Sequence, residues 1–375
     1  MRLHARAVGV AEPVLTLASA ASPSSAVRVD PEAVGASGVA RFVLPALTPG
    51  MTYLYEVGGM IGHFRTPLAG PSSHRIAFGS CADTRSDHPV FDAIVDRDPL
   101  FFLHLGDLHY RDIDENDRTR FLRAYDEALS TPAQARFFRQ VPVEYVWDDH
   151  DFGPNDADRT ADGLQAASSA FREVVPHHPL ALPGATAPVG RAFSVGRVRY
   201  ILTDLRAGRS PRDVSNPTML GRAQKAWLLA ELSSASRSHA LVIWVSPVPW
   251  IADGSDDWGG YARERREISN HIVAHGIRNL AMLAGDAHMV AIDDGRNNTF
   301  ASVGPGPNFP VFHASALDRS GSVKGGPYSK GTIEGGGHFG EMDVEDTGTG
   351  PVRVRWRGRD ARGRVLMSHT FTAER

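Results

Sequence analysis

A single cysteine, Cys81, in a chain of 375 residues excludes an internal disulfide framework, so the fold must rest on its core. That usage suits a reducing compartment and is equally compatible with an exported one. No run approaches the ~20 apolar residues of a membrane span. Residues 1–20 carry two arginines, but Glu12 and Pro13 interrupt what would have to be a signal-peptide core, so the segment reads as a strand. The expectation is a cytoplasmic protein, or one exported by a leader outside this chain. The formal net charge is −3 and there is no Lys/Arg block, which argues against an obligate nucleic-acid partner. Gly-x-Ser-x-Gly, P-loop and dinucleotide fingerprints are missing from any strand-to-helix context, which argues against serine hydrolases, nucleotide kinases and NAD enzymes. There is no internal repeat. The only biased tract is the glycine cluster Gly335 to Gly337, expected as a flexible edge of a site.

What is present is an ordinary globular composition, 42% hydrophobic and 22% charged, at a length that suggests two domains. Between Arg6 and Pro71 short alternating segments, such as Tyr53-Leu54-Tyr55-Glu56-Val57, are separated by Pro and Gly, the pattern of a small antiparallel β-sandwich. The linker-like Pro67 to Ser73 sets the expected division at 1–70 and 71–375. Beyond it strands alternate with amphipathic helices: strands over 75–80, 100–105, 143–147, 241–245 and 280–284, helices near 89–96, 119–129, 133–139, 223–232 and 263–275, and a hairpin across Gly196. This is an α/β layered sheet. Three β segments close the chain, over 339–344, 352–356 and 365–372.

Three carboxylate-rich motifs each follow one of the buried strands: Gly106-Asp107-Leu108-His109-Tyr110, Trp147-Asp148-Asp149-His150-Asp151 and Gly285-Asp286-Ala287-His288. Ligands bind at the carboxyl ends of strands in open α/β sheets, so these acids point toward one crevice. Two-metal phosphoester hydrolysis needs a carboxylate shared by two cations ~3.5–4 Å apart, with terminal ligands on each. Asp107 is the candidate bridge. Tyr110 is a second candidate ligand, and a tyrosinate, costly at a free pKa of ~10, would call for iron(III); the alternative is a rim aromatic. Cys81 is either a thiolate ligand or a small buried hydrophobe. His288 offers a nitrogen that suits iron or zinc. Asp83 either joins that ion or forms a turn. Asp149 and Asp286 give a second cation an all-oxygen shell, which favours calcium, magnesium or manganese. Alternatively Asp148 is the ligand and Asp149 its support, because adjacent strand residues face opposite ways and only one should point inward.

His150, among three acids, is the candidate proton donor to a leaving alkoxide. Asn155 lines the same loop or forms a Pro-Asn turn. Arg206 and Arg209 follow another strand end and could grip a phosphoryl group; the alternative for Arg206 is a structural pair with Asp204. Ser246 to Trp250 closes a further strand and reads as a pocket wall.

Taken in order, Ser80-Cys81, Gly-Asp-x-x-Tyr, Trp-Asp-Asp-His-Asp, Asp-x-Arg and Gly-Asp-x-His resemble the PhoD-type alkaline phosphatase family of metallophosphoesterases. The likeness extends to Leu47-Thr48-Pro49-Gly50-Met51-Thr52-Tyr53 and Gly62-His63-Phe64-Arg65-Thr66-Pro67 before the catalytic region. It implies a four-layer αββα sandwich preceded by a small all-β fibronectin/Ig-like domain. It also implies an iron(III) site at Cys81, Asp107 and Tyr110 paired with calcium or another divalent ion (manganese or magnesium), with Asp149, Asp286 and His288 at the later ligand positions. The broader superfamily has Gly-Asn-His and Gly-His-x-His where this chain has Asp-Asp-His and Gly-Asp-x-His, which supports a harder second cation. The expected activity is hydrolysis of small phosphomonoesters by a hydroxide activated between two metals. A phosphodiesterase or phospholipase D-like enzyme on the same centre is the first alternative, and a non-catalytic calcium-binding or adhesion protein is the second.

Overall fold

A computed structural model describes residues 1–6, 13–304 and 306–374. The N-terminal strands form two sheets. Arg2–Arg6, Val39–Val43 and Ala33–Val34 make a three-stranded sheet, and Ser22–Val29, Leu15–Ser19, Thr52–Val57 and Met60–Arg65 a four-stranded one. Alternation sends Leu15, Leu17, Ala40, Phe42 and Phe64 inward to a common core, as a period of two requires. The hairpin Thr52–Val57/Met60–Arg65 turns on Gly58-Gly59, both at positive φ, the backbone that a two-residue hairpin loop needs. The one strand expected over 1–20 is instead two, Arg2–Arg6 and Leu15–Ser19, in different sheets; the intervening residues 7–12 lie outside the described residues.

The rest of the chain is a mixed α/β fold built on two larger sheets. In the six-stranded sheet Val143–Tyr145, Phe102–His104 and His74–Gly79 run parallel, and His338–Glu345, Val352–Asp360 and Val365–Ala373 continue it antiparallel. In the seven-stranded sheet Val198–Leu202, Leu241–Ser246, Leu280–Ala284 and Val311–Ala314 are parallel, flanked by Arg191–Val195 on one side and by Met289–Asp293 and Thr332–Glu334 on the other. Every residue of Leu241–Ser246 and Leu280–Ala284 is buried, as expected of parallel strands covered on both faces. One hydrophobic cluster joins the sheets: Phe78 meets Phe312 edge-on at 5.1 Å, and Phe312 stacks on Trp356 at 5.0 Å. Helices Gly221–Ser238 and Ala262–Ala274 pack through Leu228, Leu232, Ile268 and Ile272 into the cluster under the seven-stranded sheet. Val90–Val95 and Pro132–Gln140 cover the other sheet.

These layers bring the ends of Phe102–His104, Val143–Tyr145, His74–Gly79 and Leu280–Ala284 to one edge. At Gly285 a Cβ would lie 2.8 Å from Pro247 O, 2.9 Å from Leu105 O and 2.9 Å from Ser80 Oγ, so only glycine fits where these segments converge. Helices Asp149–Phe152 and Leu164–Val174 and strands Met289–Asp293, Val311–Ala314 and Thr332–Glu334 escaped the sequence pattern. The glycine cluster at 335–337 links Thr332–Glu334 to His338–Glu345. Among the described residues no helix is long and apolar enough to cross a membrane.

Candidate metal centre

Three of the site residues share one local device. Cys81, Asp107 and Asp286 each sit just past a strand end at positive φ, 64°, 55° and 63°, a conformation that costs a non-glycine residue ~1 kcal/mol or more and persists where the surroundings enforce it. Here hydrogen bonds from the backbone N–H groups hold it: Cys81 N–H donates to Gly106 O at 3.2 Å, Ala82 N–H to Asp107 O at 3.0 Å and Asp286 N–H to the Ser80 side-chain Oγ at 3.2 Å. The chain thereby turns sharply off each strand. Gly106, at φ 99°, must lack a Cβ because one would lie 2.4 Å from Asp148 Cβ.

Cys81 Sγ lies 3.5 Å from Asp107 Oδ2, and Tyr110 Oη donates to the same oxygen at 2.8 Å. These residues therefore form one group. Burial first, and then the Asp107 carboxylate, push the Cys81 thiol and the Tyr110 phenol up. Burial, Asp149 and Asp148 likewise raise Asp107. Positive charge placed beside the group would favour its ionised forms.

Asp148 and Asp149 do not alternate as adjacent strand residues would. The strand ends at Tyr145 and a short helix, Asp149–Phe152, begins soon after, capped by Asp148 N–H donating to Asp151 Oδ1 at 2.6 Å. Both carboxylates consequently face Arg206: its Nε donates to Asp148 Oδ1 at 2.6 Å, and its Nη2 lies 3.6 Å from Asp149 Oδ1. The expectation that only one of the pair points inward is corrected on this ground. Asp151 Oδ2 also accepts from Leu108 N–H at 2.9 Å and from Tyr145 Oη, tying the Asp107 turn to the Asp149 turn.

Arg206 is wholly buried and fully used. Besides Asp148 it grips Asp256 bidentately, at 2.8 Å through both Nη atoms. The structure thus gives it a clamp's position, with no free fork for phosphate. Its expected partner Asp204 accepts the backbone N–H groups of Val189, Arg206 and Ala207 instead. Arg209 is also engaged, with Tyr261 Oη at 2.8 Å and Asp256 Oδ1 at 2.8 Å. Burial would raise Asp256, but the two guanidinia outweigh it and hold its carboxyl down to about 2.

Lys324 Nζ sits on both oxygens of Asp286, at 2.7 and 2.8 Å. Burial still leaves the Asp286 carboxyl raised to about 6. His288 Nδ1 pairs with Ser320 O at 2.6 Å, and burial lowers its pKa. His150 Nδ1 lies 2.5 Å from Asp112 Oδ1 and its ring 4.2 Å from that of Tyr110. Burial opposes its charged form, but Asp107, Asp149 and Asp112 prevail and the pKa is raised. Arg319 covers the Tyr110 ring at 4.1 Å.

Two supporting candidates stand apart. Asp83 is exposed, in a turn closed by Ser86 N–H to its carbonyl, and Asn155 is exposed and bonded to Asp156. Residues 246–250 are buried: Ser246 Oγ accepts from Trp258 Nε1 and donates to Val248 O. Asp256, Lys324 and Asp112 are the residues that motif reasoning missed, and Asp151 stood in its motif without a role. Asp256 lies in the acid-rich Asp253-Gly254-Ser255-Asp256-Asp257 loop, the only signal that could have flagged it.

The donors fit cations. Ligand atoms of Asp107, Asp149 and His150 lie within 4.8 Å of one another, as do those of Asp149, Asp156 and Asp256, so Asp149 is common to both groups. Among the described residues Asp107 Oδ1, Asp148 Oδ2 and Asp149 Oδ1 are buried with no hydrogen-bond partner, which is costly for carboxylates unless positive charge completes the site.

The fold is shared with the solved structure titled "Structure of PhoD", at TM-score 0.67 and 16% identity over 97% of this chain and 87% of that one. A 5′-nucleotidase precursor from Thermus thermophilus is a more distant match, at TM-score 0.38 and 12% identity over 81% of this chain and 54% of that one. No curated protein matches the sequence. Residues 76–368 match the PhoD-like phosphatase profile, and with most of its length inside that match the chain belongs to the PhoD-like phosphatase family of phosphoester hydrolases.

Proposed function

We propose that the chain is a metal-dependent hydrolase releasing phosphate from phosphomonoesters at the centre around Asp107, Asp149 and Asp286. The observation that carries this reading is the set of buried carboxylate oxygens of Asp107, Asp148 and Asp149 that have no hydrogen-bond partner among the described residues, gathered where strand ends converge. Cys81, Asp107 and Tyr110 would hold iron(III), whose charge suits a thiolate and a phenolate. Asp149 and Asp286, with His288 nearby and Asp156 and Asp256 extending the oxygen set, would hold calcium or another divalent ion. Such cations supply Lewis acidity and a nucleophilic water at neutral pH.

The side chains supply the rest. His150, oriented by Asp112, is the group to give a proton to the leaving oxygen. Arg319, held only by a long contact of 3.7 Å to exposed Asp83, is the cation left to meet phosphoryl charge, since Arg206 and Arg209 are committed to acids and Lys324 sits on both oxygens of Asp286. Arg206 acts as a positioning residue for Asp148 and Asp149. The arrangement of sheets supports a fibronectin/Ig-like domain over 1–70 and a four-layer αββα catalytic domain over 71–375.

Phosphodiester or phospholipase D-like specificity is the second reading, favoured by that commitment of both arginines, because a diester carries less charge than a monoester dianion. Side-by-side hydrolysis of p-nitrophenyl phosphate and bis-p-nitrophenyl phosphate by metal-loaded protein decides between them. A dominant diester rate overturns the monoester reading. Loss of both activities in Asp107→Ala with an unchanged melting curve in chelator is expected, and retained activity would remove Asp107 from the centre.

A further inference from the structure

Between the N-terminal strands and the outer edge of the six-stranded sheet lies a cavity of about 940 Å³. Its walls are predominantly apolar, with Phe101, Leu108, Phe138 and Phe193 among them. Interiors pack with few voids larger than a water, and this volume matches clefts that take small organic ligands, roughly 300–1,000 Å³.

Two polar features of the cavity are unexplained by the fold. His104, on strand Phe102–His104, lines it while only 1% exposed, and among the described residues neither ring nitrogen has a hydrogen-bond partner. Burial holds that ring neutral, so it offers one N–H donor and one acceptor nitrogen to whatever enters. Arg2, exposed, and Arg139, half-buried, also line the cavity, and among the described residues neither pairs with an acid or donates a side-chain hydrogen bond. Unpaired guanidinia beside an apolar cleft suit an anionic head group.

We infer that this cavity binds an anionic amphiphile whose apolar body carries an uncharged hydroxyl, the carboxylate meeting Arg2 and Arg139 and the hydroxyl meeting His104. A hydroxylated medium-chain fatty acid has this chemistry. The site is separate from the metal centre, although His104 and Leu108 flank the turn that carries Asp107, and it stands whether or not the phosphatase reading does.

Calorimetric titration of the full chain with ω-hydroxydodecanoate, dodecanoate and dodecyltrimethylammonium tests it. One equivalent of ω-hydroxydodecanoate binds, about tenfold tighter than dodecanoate, the difference that one buried hydrogen bond gives; the cation does not bind. His104→Phe removes the preference and keeps dodecanoate binding. Arg139→Glu weakens both acids by about tenfold. Should His104→Phe fail to fold, wild-type protein labelled with nitrogen-15 histidine still reports: one neutral-ring signal moves with the hydroxy acid and not with dodecanoate. Equal affinity for the two acids, no binding of either, or a preference that survives His104→Phe overturns the assignment.

Discussion

Replacing Arg206 by methionine isolates the electrostatics of the centre. The guanidinium is wholly buried and neutralises Asp148 and Asp256 directly, with Asp149 at 3.6 Å. Methionine keeps much of the volume and leaves those carboxylates facing one another. Breaking a buried ion pair from one side costs ~3–5 kcal/mol. For a chain of this length the unfolding entropy is about 0.8 kcal/mol per degree, so the metal-free variant should melt ~4–6 °C below wild type if it unfolds as one unit. Cations in the acid groups around Asp149 would replace part of the lost charge, so the gap should narrow in metal-loaded protein. Adding Asp256→Asn should recover part of the metal-free loss, because the two side chains share one interaction. Calorimetric melts of wild type, both single variants and the double variant, with chelator and with metal, supply the comparison. A metal-free Arg206→Met protein that melts within a degree of wild type would refute the clamp, and a stable variant with raised KM alone would return Arg206 to substrate binding.

His313 is fully buried, and burial holds its pKa down to about 3 against 6.5 when unfolded. A depressed histidine pKa gives stability that is complete above 6.5 and drains as pH falls toward 3, by up to ~5 kcal/mol at ~1.4 kcal/mol per pH unit; denaturant titrations of wild type and His313→Phe should show the pH slope shrinking in the variant. Glu341 is buried among Arg75, Arg97, Arg357 and Arg359, and burial is outweighed so that its pKa is lowered; Glu341→Gln should cost ~3–5 kcal/mol at pH 7, and its deficit should close as pH falls below 4.5, where wild type protonates as well. Trp356→Ala, opening a void beside Phe312, should cost ~3–5 kcal/mol without moving KM, read from chemical denaturation and steady-state rates. Gly285→Ala puts a methyl among three oxygens within 2.9 Å, so it should displace the Asp286 turn and reduce turnover more than stability.

Much of this centre was legible because strand and acid are adjacent in sequence. An apolar run that ends in Gly-Asp declares both a buried parallel strand and a carboxylate at its carboxyl end, which is how Asp107 and Asp286 stand out. Asp148 and Asp149 show where that logic stops, since a helix cap begins within the motif and overrides the period of two. Asp256 and Lys324 were hidden for a different reason. Each sits in a loop with no periodic pattern, and each reaches the centre only because distant segments converge: 50 residues separate Asp256 from Arg206, and 38 separate Lys324 from Asp286. His104 read as one more residue of a buried strand, and its missing partners are a property of the packed fold alone.

The measurement that bears most directly on the account is metal stoichiometry by mass spectrometry, paired with p-nitrophenyl phosphate turnover, for wild type, Asp107→Ala and Asp149→Ala. Asp149 belongs to both donor groups and Asp107 to the one that includes His150, so wild type should carry two cations per chain, and each variant should lose metal and activity together. A wild-type protein that hydrolyses the ester at full rate after exhaustive chelation, with no metal bound, would contradict the account.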